Sequence, residues 1–175
     1  MCWKVVSCNN VKIAVKDILT LPDAMLRKTS NMVESFDSAL NLLVEDMQIA
    51  MLNGAGGVGI AAPQLGCLQR VILVDCSLGR FPCRNHGRVL MVNPEIIDHS
   101  GKVLGREGCL SVPKWMATVS RSKKITVRYQ DSLCEFHELV GSGFEARVIQ
   151  HELDHLNGVL FIDRVLSVHD LVRRM

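Results

Sequence analysis

The sequence contains no apolar run long enough to cross a membrane. A transmembrane helix needs about 18 to 20 consecutive apolar residues, whereas runs such as residues 71–74 have only the length of a strand. The sequence also lacks a large excess of either charge, because 20 Lys and Arg residues are matched by 18 Asp and Glu residues. The basic residues are scattered, so the composition indicates neither a membrane nor a nucleic acid as a partner.

Paired cysteines with the spacing of a zinc ribbon are missing as well. The seven cysteines contain no Cys-x-x-Cys pair, and their odd number argues against a closed disulfide framework. We therefore expect a reducing compartment, the cytoplasm. Residues 1–16 contain three lysines and no acidic residue, a faint feature of organellar presequences that leaves an organellar matrix as the alternative.

The sequence has the length and composition of one globular domain. Its 175 residues are 48% hydrophobic and 22% charged, and splitting them would leave two small cores. No internal repeat, linker or low-complexity segment interrupts the chain. We therefore expect a single domain over residues 1–175, with one site on one core.

Two segments have the periodicity of amphipathic helices. Residues 37–52 place apolar side chains at helical spacing after Asp37, a favourable N-cap. A second helix is predicted to start at Ser142, with Glu145 completing a capping box, and to end near Asn157 and Gly158.

Four strands are predicted between these helices. They are rich in β-branched side chains or alternate between apolar and polar residues, and they cover residues 70–75, 89–92, 123–130 and 134–140. A helix, a group of strands and a final helix are the order of an α+β domain rather than of repeated β-α-β units.

The predicted C-terminal helix contains the pattern H-E-x-x-H at residues 151–155. The spacing puts the His151 and His155 imidazoles on one face of the helix, from which Glu152 can reach a metal-bound water. The alternative is that these are ordinary solvated or paired polar residues. Phe144 and Val148 lie on the histidine face, so we expect this face to be covered, which favours a metal site.

A catalytic metal site of this kind needs a third protein ligand, and the usual positions do not supply one. Phe161 stands where the extended metalloprotease pattern places a third histidine, and no glutamate follows Glu152. The remaining downstream candidates are Asp163, His169 and Asp170. Upstream, Cys109 follows a glycine that permits close backbone approach, but a buried free cysteine is an equally good interpretation of this residue.

A glycine-rich segment at residues 54–59 formally matches the nucleotide-binding pattern G-x-G-x-x-G. The dinucleotide fingerprint follows a strand and opens a helix, whereas this segment follows the first predicted helix, so nucleotide binding is not favoured. Glycines also let a strand or a ligand backbone approach closely, and Gln64 just beyond them offers an amide donor for an oxyanion. The alternative is a turn followed by a polar residue.

Three separated segments, taken together, resemble the signature motifs of the peptide deformylase family. They are Gly-Val-Gly-Ile-Ala-Ala-Pro-Gln at 57–64, Glu-Gly-Cys-Leu-Ser at 107–111 and Gln-His-Glu-Leu-Asp-His at 150–155. Their order and spacing also fit the family. Residues 22–27 resemble the segment that opens the family's domain, and the resemblance extends over about residues 20–165.

This resemblance implies a fold and a metal site. The implied fold is α+β, with mixed or antiparallel sheets packed around a central, metal-bearing C-terminal helix. Cys109 is the implied third metal ligand beside His151 and His155. The implied native ion is Fe(II), for which Zn(II), Ni(II) or Co(II) can substitute.

The resemblance also implies a reaction, the removal of the formyl group from N-formylmethionyl nascent peptides. Glu152 would take a proton from the attacking water and return it to the leaving amine. The Gln64 side-chain amide and the backbone N–H of Leu110 would stabilise the oxyanion, and Gly59 and Gly108 would bind the peptide.

Other partners and functions follow less directly from the same sequence. Many bacterial members of the family carry a long C-terminal helix implicated in ribosome docking, whereas 17 residues follow Gly158 here, so docking on the ribosome is doubtful. A zinc endopeptidase could use the same helix, and would cleave internal peptide bonds. A noncatalytic metal-binding module is the third possibility, in which a closed four-ligand site would leave no exchangeable water.

Overall fold

The structure, a computed structural model, describes residues 17–54, 56–165 and 167–174. The first 16 residues, which we compared with an organellar presequence, lie outside them. The described residues form two α-helices and eight strands, connected in part by short 3-10 helices. This mixture confirms the predicted α+β class. Neither helix is long and apolar enough to cross a membrane.

The eight strands, numbered in chain order, form two antiparallel sheets. The larger sheet contains, in hydrogen-bonded order, β1 (Gly59–Ala61), β2 (Val71–Asp75), β3 (Arg88–Ser100), β6 (Lys124–Gln130) and β7 (Phe136–Ser142). The smaller sheet contains, again in order, β4 (Val103–Cys109), β5 (Val112–Arg121) and β8 (Leu171–Arg173).

The strand predictions agree only partly with the larger sheet. Those over 70–75 and 123–130 match β2 and β6 to within one residue, but 89–92 is only the first part of β3. Asn93 has a left-handed conformation (φ 52), and the pairing of β3 with β6 is irregular beyond Val92. These irregularities interrupt the alternation of apolar and polar side chains by which a strand is predicted. The prediction over 134–140 starts two residues early because residues 131–134 form a turn. The sequence does not predict β1, β4, β5 or β8.

Helix α1 covers Ser38–Asn53, close to its predicted range of 37–52. The Asp37 side chain accepts hydrogen bonds from the backbone N–H groups of Ala39 and Leu40, which lack partners within the helix. The apolar face of α1 packs on the larger sheet through Leu40, Leu43, Met47, Ala50 and Met51.

Helix α2 covers Gly143–Leu156 and ends where the sequence predicts, since Asn157 is its C-cap and Gly158 follows with φ +70. The predicted capping box at its start is wrong. Ser142 makes no side-chain capping hydrogen bond. Glu145 instead accepts a hydrogen bond of 2.8 Å from the backbone N–H of His86 and contacts the imidazole of the same residue.

Helix α2 lies between the two sheets. Ile149 and Leu153 pack into a buried cluster with residues of the larger sheet. Toward the smaller sheet, the Arg147 side chain donates hydrogen bonds to the carbonyl groups of Val103 and Val119. This confirms the predicted arrangement of sheets around a central C-terminal helix, and it places residues 151–155 in the interior.

Candidate metal centre

Helix α2 and the end of β4 bring three potential metal ligands together. One ligand atom from each of Cys109, His151 and His155 lies within 4.8 Å of the other two. Cys109 Sγ is 3.2 Å from His155 Nε2, and the two imidazole centroids are 5.1 Å apart. The histidines meet because they are one helical turn apart, whereas the thiol comes from the smaller sheet.

The downstream candidates do not join this group. Asp163 forms an ion pair with Arg27 and also accepts a hydrogen bond from the backbone N–H of Leu160. His169 and Asp170 line a separate small cavity. Among the described residues, the third possible ligand beside both histidines is therefore Cys109, which lies upstream of them in the sequence.

The chemistry of the three donors fits a divalent transition metal. A thiolate and two imidazoles form a common ligand set for zinc and also suit iron, nickel and cobalt, and three ligands leave a position open. The backbone N–H of Ser111 and the side-chain amide of Gln64 both donate toward Cys109 Sγ, over 3.4 and 3.7 Å. These contacts hold the sulfur, the atom that would bind the metal, in a fixed position.

Glu107 orients one of the two imidazoles. Its Oε2 lies 2.9 Å from Nδ1 of His151, which leaves Nε2 of that ring available to a metal. Arg121 donates two hydrogen bonds of 2.9 Å to the Glu107 carboxylate, and Arg147 donates a third of 2.7 Å. Burial opposes ionisation, but the hydrogen bonds from Arg121 and His151 outweigh it and hold the pKa of Glu107 well below its usual range.

The ion pairs continue beyond Glu107 to the next turn of α2. Arg121 also pairs with Asp154, over 2.5 Å, and Asp154 pairs in turn with Arg164. Arg121 and Asp154 are buried, whereas the Arg164 side chain is 45% exposed. The position of Glu107 beside His151 is thus supported by charges from the next turn of the helix.

Glu152 lies beside the three ligands. It is 4% exposed, and its Oε2 has no hydrogen-bond partner among the described residues. Burial raises the pKa of Glu152 to about 7. A Cβ atom at Gly59 would lie 2.6 Å from Glu152 Oε1, so only glycine lets β1 pass this close to the carboxylate.

Gln64 is fixed with its amide nitrogen toward the site. Its Oε1 accepts a hydrogen bond of 2.9 Å from the Ala61 backbone N–H, and its Nε2 donates one of 3.1 Å to the Ser111 hydroxyl. Residues 62–65 form a short 3-10 helix that carries this side chain into the interior. The donor predicted from the sequence is therefore buried next to Cys109.

An open cavity of about 240 Å³ leads to these residues. Its lining includes all of the sequence-predicted site residues except His155, which lies behind Cys109 and His151 at 2% exposure. Three arginines that the sequence analysis missed also line it, namely Arg106, Arg147 and Arg174. Of these three, only Arg147 could have been found from the sequence. It precedes His151 by four residues, which places the two side chains on one face of the predicted helix.

A thiol and two imidazoles around one point, a neighbouring carboxylate and an open cavity define a metal-dependent hydrolase. Comparison with known proteins specifies which kind. The sequence profile of the polypeptide deformylase family matches residues 15–170 of the 175, and the chain belongs to this family.

Individual relatives agree with this assignment. The peptide deformylase of Caldicellulosiruptor bescii is 40% identical over 154 residues, which cover 88% of this chain and 87% of the relative. The crystal structure of a peptide deformylase from Legionella pneumophila is 41% identical, with a TM-score of 0.81 and coverage of 90% and 89%. A Met-Ala-Ser-bound class I type b enzyme from Acinetobacter baumannii is 38% identical, with a TM-score of 0.79 and coverage of 86% and 98%. Deformylation is thus supported over the endopeptidase and the noncatalytic module.

Proposed function

We propose that this chain, as a single catalytic domain, hydrolyses the formyl group from N-formylmethionyl nascent peptides at a metal held by Cys109, His151 and His155. The observation that carries the proposal is the convergence of these three side chains within 4.8 Å, next to Glu152. The protein would act in the bacterial cytoplasm on the emerging nascent chain.

Fe(II) is the proposed native ion. The thiolate and imidazole donors also accept Zn(II), Ni(II) or Co(II), so the preference for iron rests on the family resemblance rather than on the donor set. When bound, the metal lowers the pKa of a water molecule and polarises the formyl oxygen.

Glu152 is the proposed proton carrier. Its carboxylate takes a proton from the water as the water oxygen attacks the formyl carbon, and it returns that proton to the amine nitrogen as the carbon–nitrogen bond breaks. Formate and a peptide with a free N-terminus are released. Burial supports this role, since it raises the pKa of Glu152 to about 7, where the group can both accept and donate near neutral pH.

Gln64 and the backbone of Leu110 are the proposed oxyanion donors. The Gln64 amide is held in place by Ala61 and Ser111, which keeps its Nε2 beside Cys109, where the negative charge would develop. Leu110 follows Cys109 directly and lines the same cavity.

Gly59 and Gly108 are the proposed contacts of the peptide backbone. Both line the cavity, one from β1 and one from β4. At Gly108, an added Cβ would meet no atom closer than 3.5 Å, which leaves this strand open to an approaching peptide.

Metal analysis combined with a formyl-Met-Ala-Ser assay tests this function against the alternatives. We expect about one metal ion per chain, as a mononuclear site requires, and release of formate without cleavage of internal bonds. Cleavage of an unformylated peptide at an internal bond would indicate an endopeptidase. A tightly bound metal without formate release would indicate a noncatalytic module.

A further inference from the structure

The cavity at the metal centre has a basic wall. Arg106 on β4 and Arg174, the residue after β8, both line the cavity with exposed side chains. The lining residues from the segment 56–59 and Phe144 carry no charge. The charge near the mouth is therefore contributed by the smaller sheet.

The register of the smaller sheet explains why these arginines lie on one side. Gly108 pairs with Met116, so these two residues share a face of the sheet. Side chains alternate along a strand, so Arg106, two residues before Gly108, shares that face. The pairing of β4 with β5 becomes irregular after Gly108, but the pairing of Trp115 with Arg173 on β8 continues the face to Lys114. The backbone N–H of Arg174 donates a 2.9 Å hydrogen bond to the Lys114 carbonyl, which places Arg174 beside Lys114.

We call Arg106, Lys114 and Arg174 the basic face. The opposite face of the same sheet is buried, and it carries Glu107, Cys109, Ala117 and Val119. One side of the sheet thus builds the metal centre, while the other presents positive charge to solvent next to the route by which a peptide reaches it.

The basic face has no carboxylate partner in the described part of the chain. No aspartate or glutamate there lies within ion-pair distance of its three side chains. Asp170 shares a small adjacent cavity with Arg106 but forms no ion pair with it. Glu107 and Glu152, the acids that line the main cavity, are buried at its base. The positive charge is therefore available to a ligand.

We propose that the basic face binds a carboxylate of the formylated peptide, and so makes peptides with an acidic third residue the preferred substrates. This inference rests on the proposed function. A formylated peptide has no N-terminal ammonium group, so an acidic residue gives it a net negative charge. Guanidinium groups bind carboxylates through paired hydrogen bonds, whereas a basic residue at the same place would be repelled.

A matched series of peptides tests the preference. The C-terminal amides of formyl-Met-Ala-Glu, formyl-Met-Ala-Gln and formyl-Met-Ala-Lys differ only in the charge of the third residue. We expect kcat/KM to fall in that order, by about two- to fivefold per step, because exposed charge pairs contribute modestly. The effect should appear mainly in KM and should shrink at high salt. Formyl-Met-Ala-Ser as free acid and as amide shows whether a C-terminal carboxylate is also bound.

Variants then assign the preference to the basic face. Arg106→Gln and Arg174→Gln should each lower the Glu-to-Lys ratio of kcat/KM by about two- to fivefold, since each removes one exposed charge. Arg106→Lys should retain most of the ratio because the charge is kept. Lys124→Gln is the control, since it makes the same change in net charge on an exposed residue of β6, outside this cavity.

Equal kcat/KM for the three amides would overturn the inference, as would an equal change of the ratio in Lys124→Gln. Loss of binding to a polyanion such as heparin in the arginine variants, without any change in the peptide ratio, would also overturn it, because the face would then serve a different partner. In each case formate release from formyl-Met-Ala-Gln amide would show that the proposed function still holds. Absence of that release would instead count against the function itself.

Discussion

Glu107 Oε2 lies 2.9 Å from Nδ1 of His151, and this contact joins the buried charges of the smaller sheet to the metal centre. The carboxylate is held by arginines from two elements, Arg121 on β5 and Arg147 on α2. His151 therefore has a fixed ring orientation, and its Nε2 is directed to the place where Cys109 and His155 meet.

Glu107→Gln should weaken metal binding. The substitution removes the charge that Arg121 and Arg147 neutralise and loosens the orientation of His151, and loss of such supporting contacts lowers metal affinity by about 10- to 100-fold. Competition with a chelator measures the change. Glu138→Gln, at an exposed carboxylate on β7, is the control and should retain the wild-type affinity. Equal affinities in both variants would contradict this role of Glu107.

Glu152→Ala should separate metal binding from catalysis. The carboxylate is not one of the three proposed ligands, so the metal content should stay at the wild-type level. Formate release should fall by about 10²- to 10⁴-fold, the usual contribution of a positioned acid–base group. Metal analysis and kcat measured on the same preparation check both statements. Normal turnover in this variant would refute the assignment.

Cys109→Ser should cause loss of the metal. A serine hydroxyl is a much poorer ligand than a thiolate for a transition metal, and the remaining two histidines would hold the ion weakly. Cys134→Ser, at an exposed thiol, is the matched control. If Cys109→Ser kept the metal, a downstream residue such as Asp163 or His169 would again be a candidate for the third ligand.

Gly59→Ala should destabilise the protein and lower kcat. The new methyl group would lie 2.6 Å from Glu152 Oε1 and 2.8 Å from Val148 Cγ1, so either β1 or the carboxylate must move. Overpacking of this kind costs about 1 to 3 kcal/mol, and in a chain of this size each kcal/mol lowers Tm by about 2 to 4 °C. Gly108→Ala, which meets no atom within 3.5 Å, should leave Tm nearly unchanged and act on KM. A higher Tm for Gly59→Ala than for Gly108→Ala would contradict this packing argument.

Metal exchange should identify the native ion. Air oxidises Fe(II) more readily than Ni(II) or Co(II), so we expect activity to decline in air and to return after reconstitution with Ni(II) or Co(II). Formate release before and after reconstitution, with the metal content of each sample, measures this. Full activity that is stable in air with zinc would count against iron.

The sequence predicts the parts of the site that depend on local spacing. His151, Glu152 and His155 lie within five residues of one helix, so helical periodicity alone places the histidines together. Cys109 comes from the smaller sheet. The glycine before it made it a candidate ligand, but only the family resemblance favoured a ligand over a buried free cysteine. The spacing of residues along the sequence does not indicate which cysteine will lie next to a helix in the folded protein.

The strands that the sequence does not predict were missed for a different reason. Strands β4 and β5 mix glycine, charged and apolar residues, because one side of their sheet is open and the other buries the ion pair of Glu107 and Arg121 among apolar residues. Their alternation is therefore hidden from a prediction based on hydrophobicity. The capping box at α2 fails for a similar reason, since Glu145 finds a tertiary partner in His86.

The line of alternating charges from Arg164 through Asp154, Arg121 and Glu107 ends at the His151 imidazole. Each member is held by a neighbour of opposite sign, so the ring is preorganised as soon as the chain folds. Metal binding then does not have to restrict the rotation of the His151 side chain, because folding has already restricted it. The entropy lost in ordering this side chain is therefore part of the free energy of folding and is not added to the free energy of metal binding.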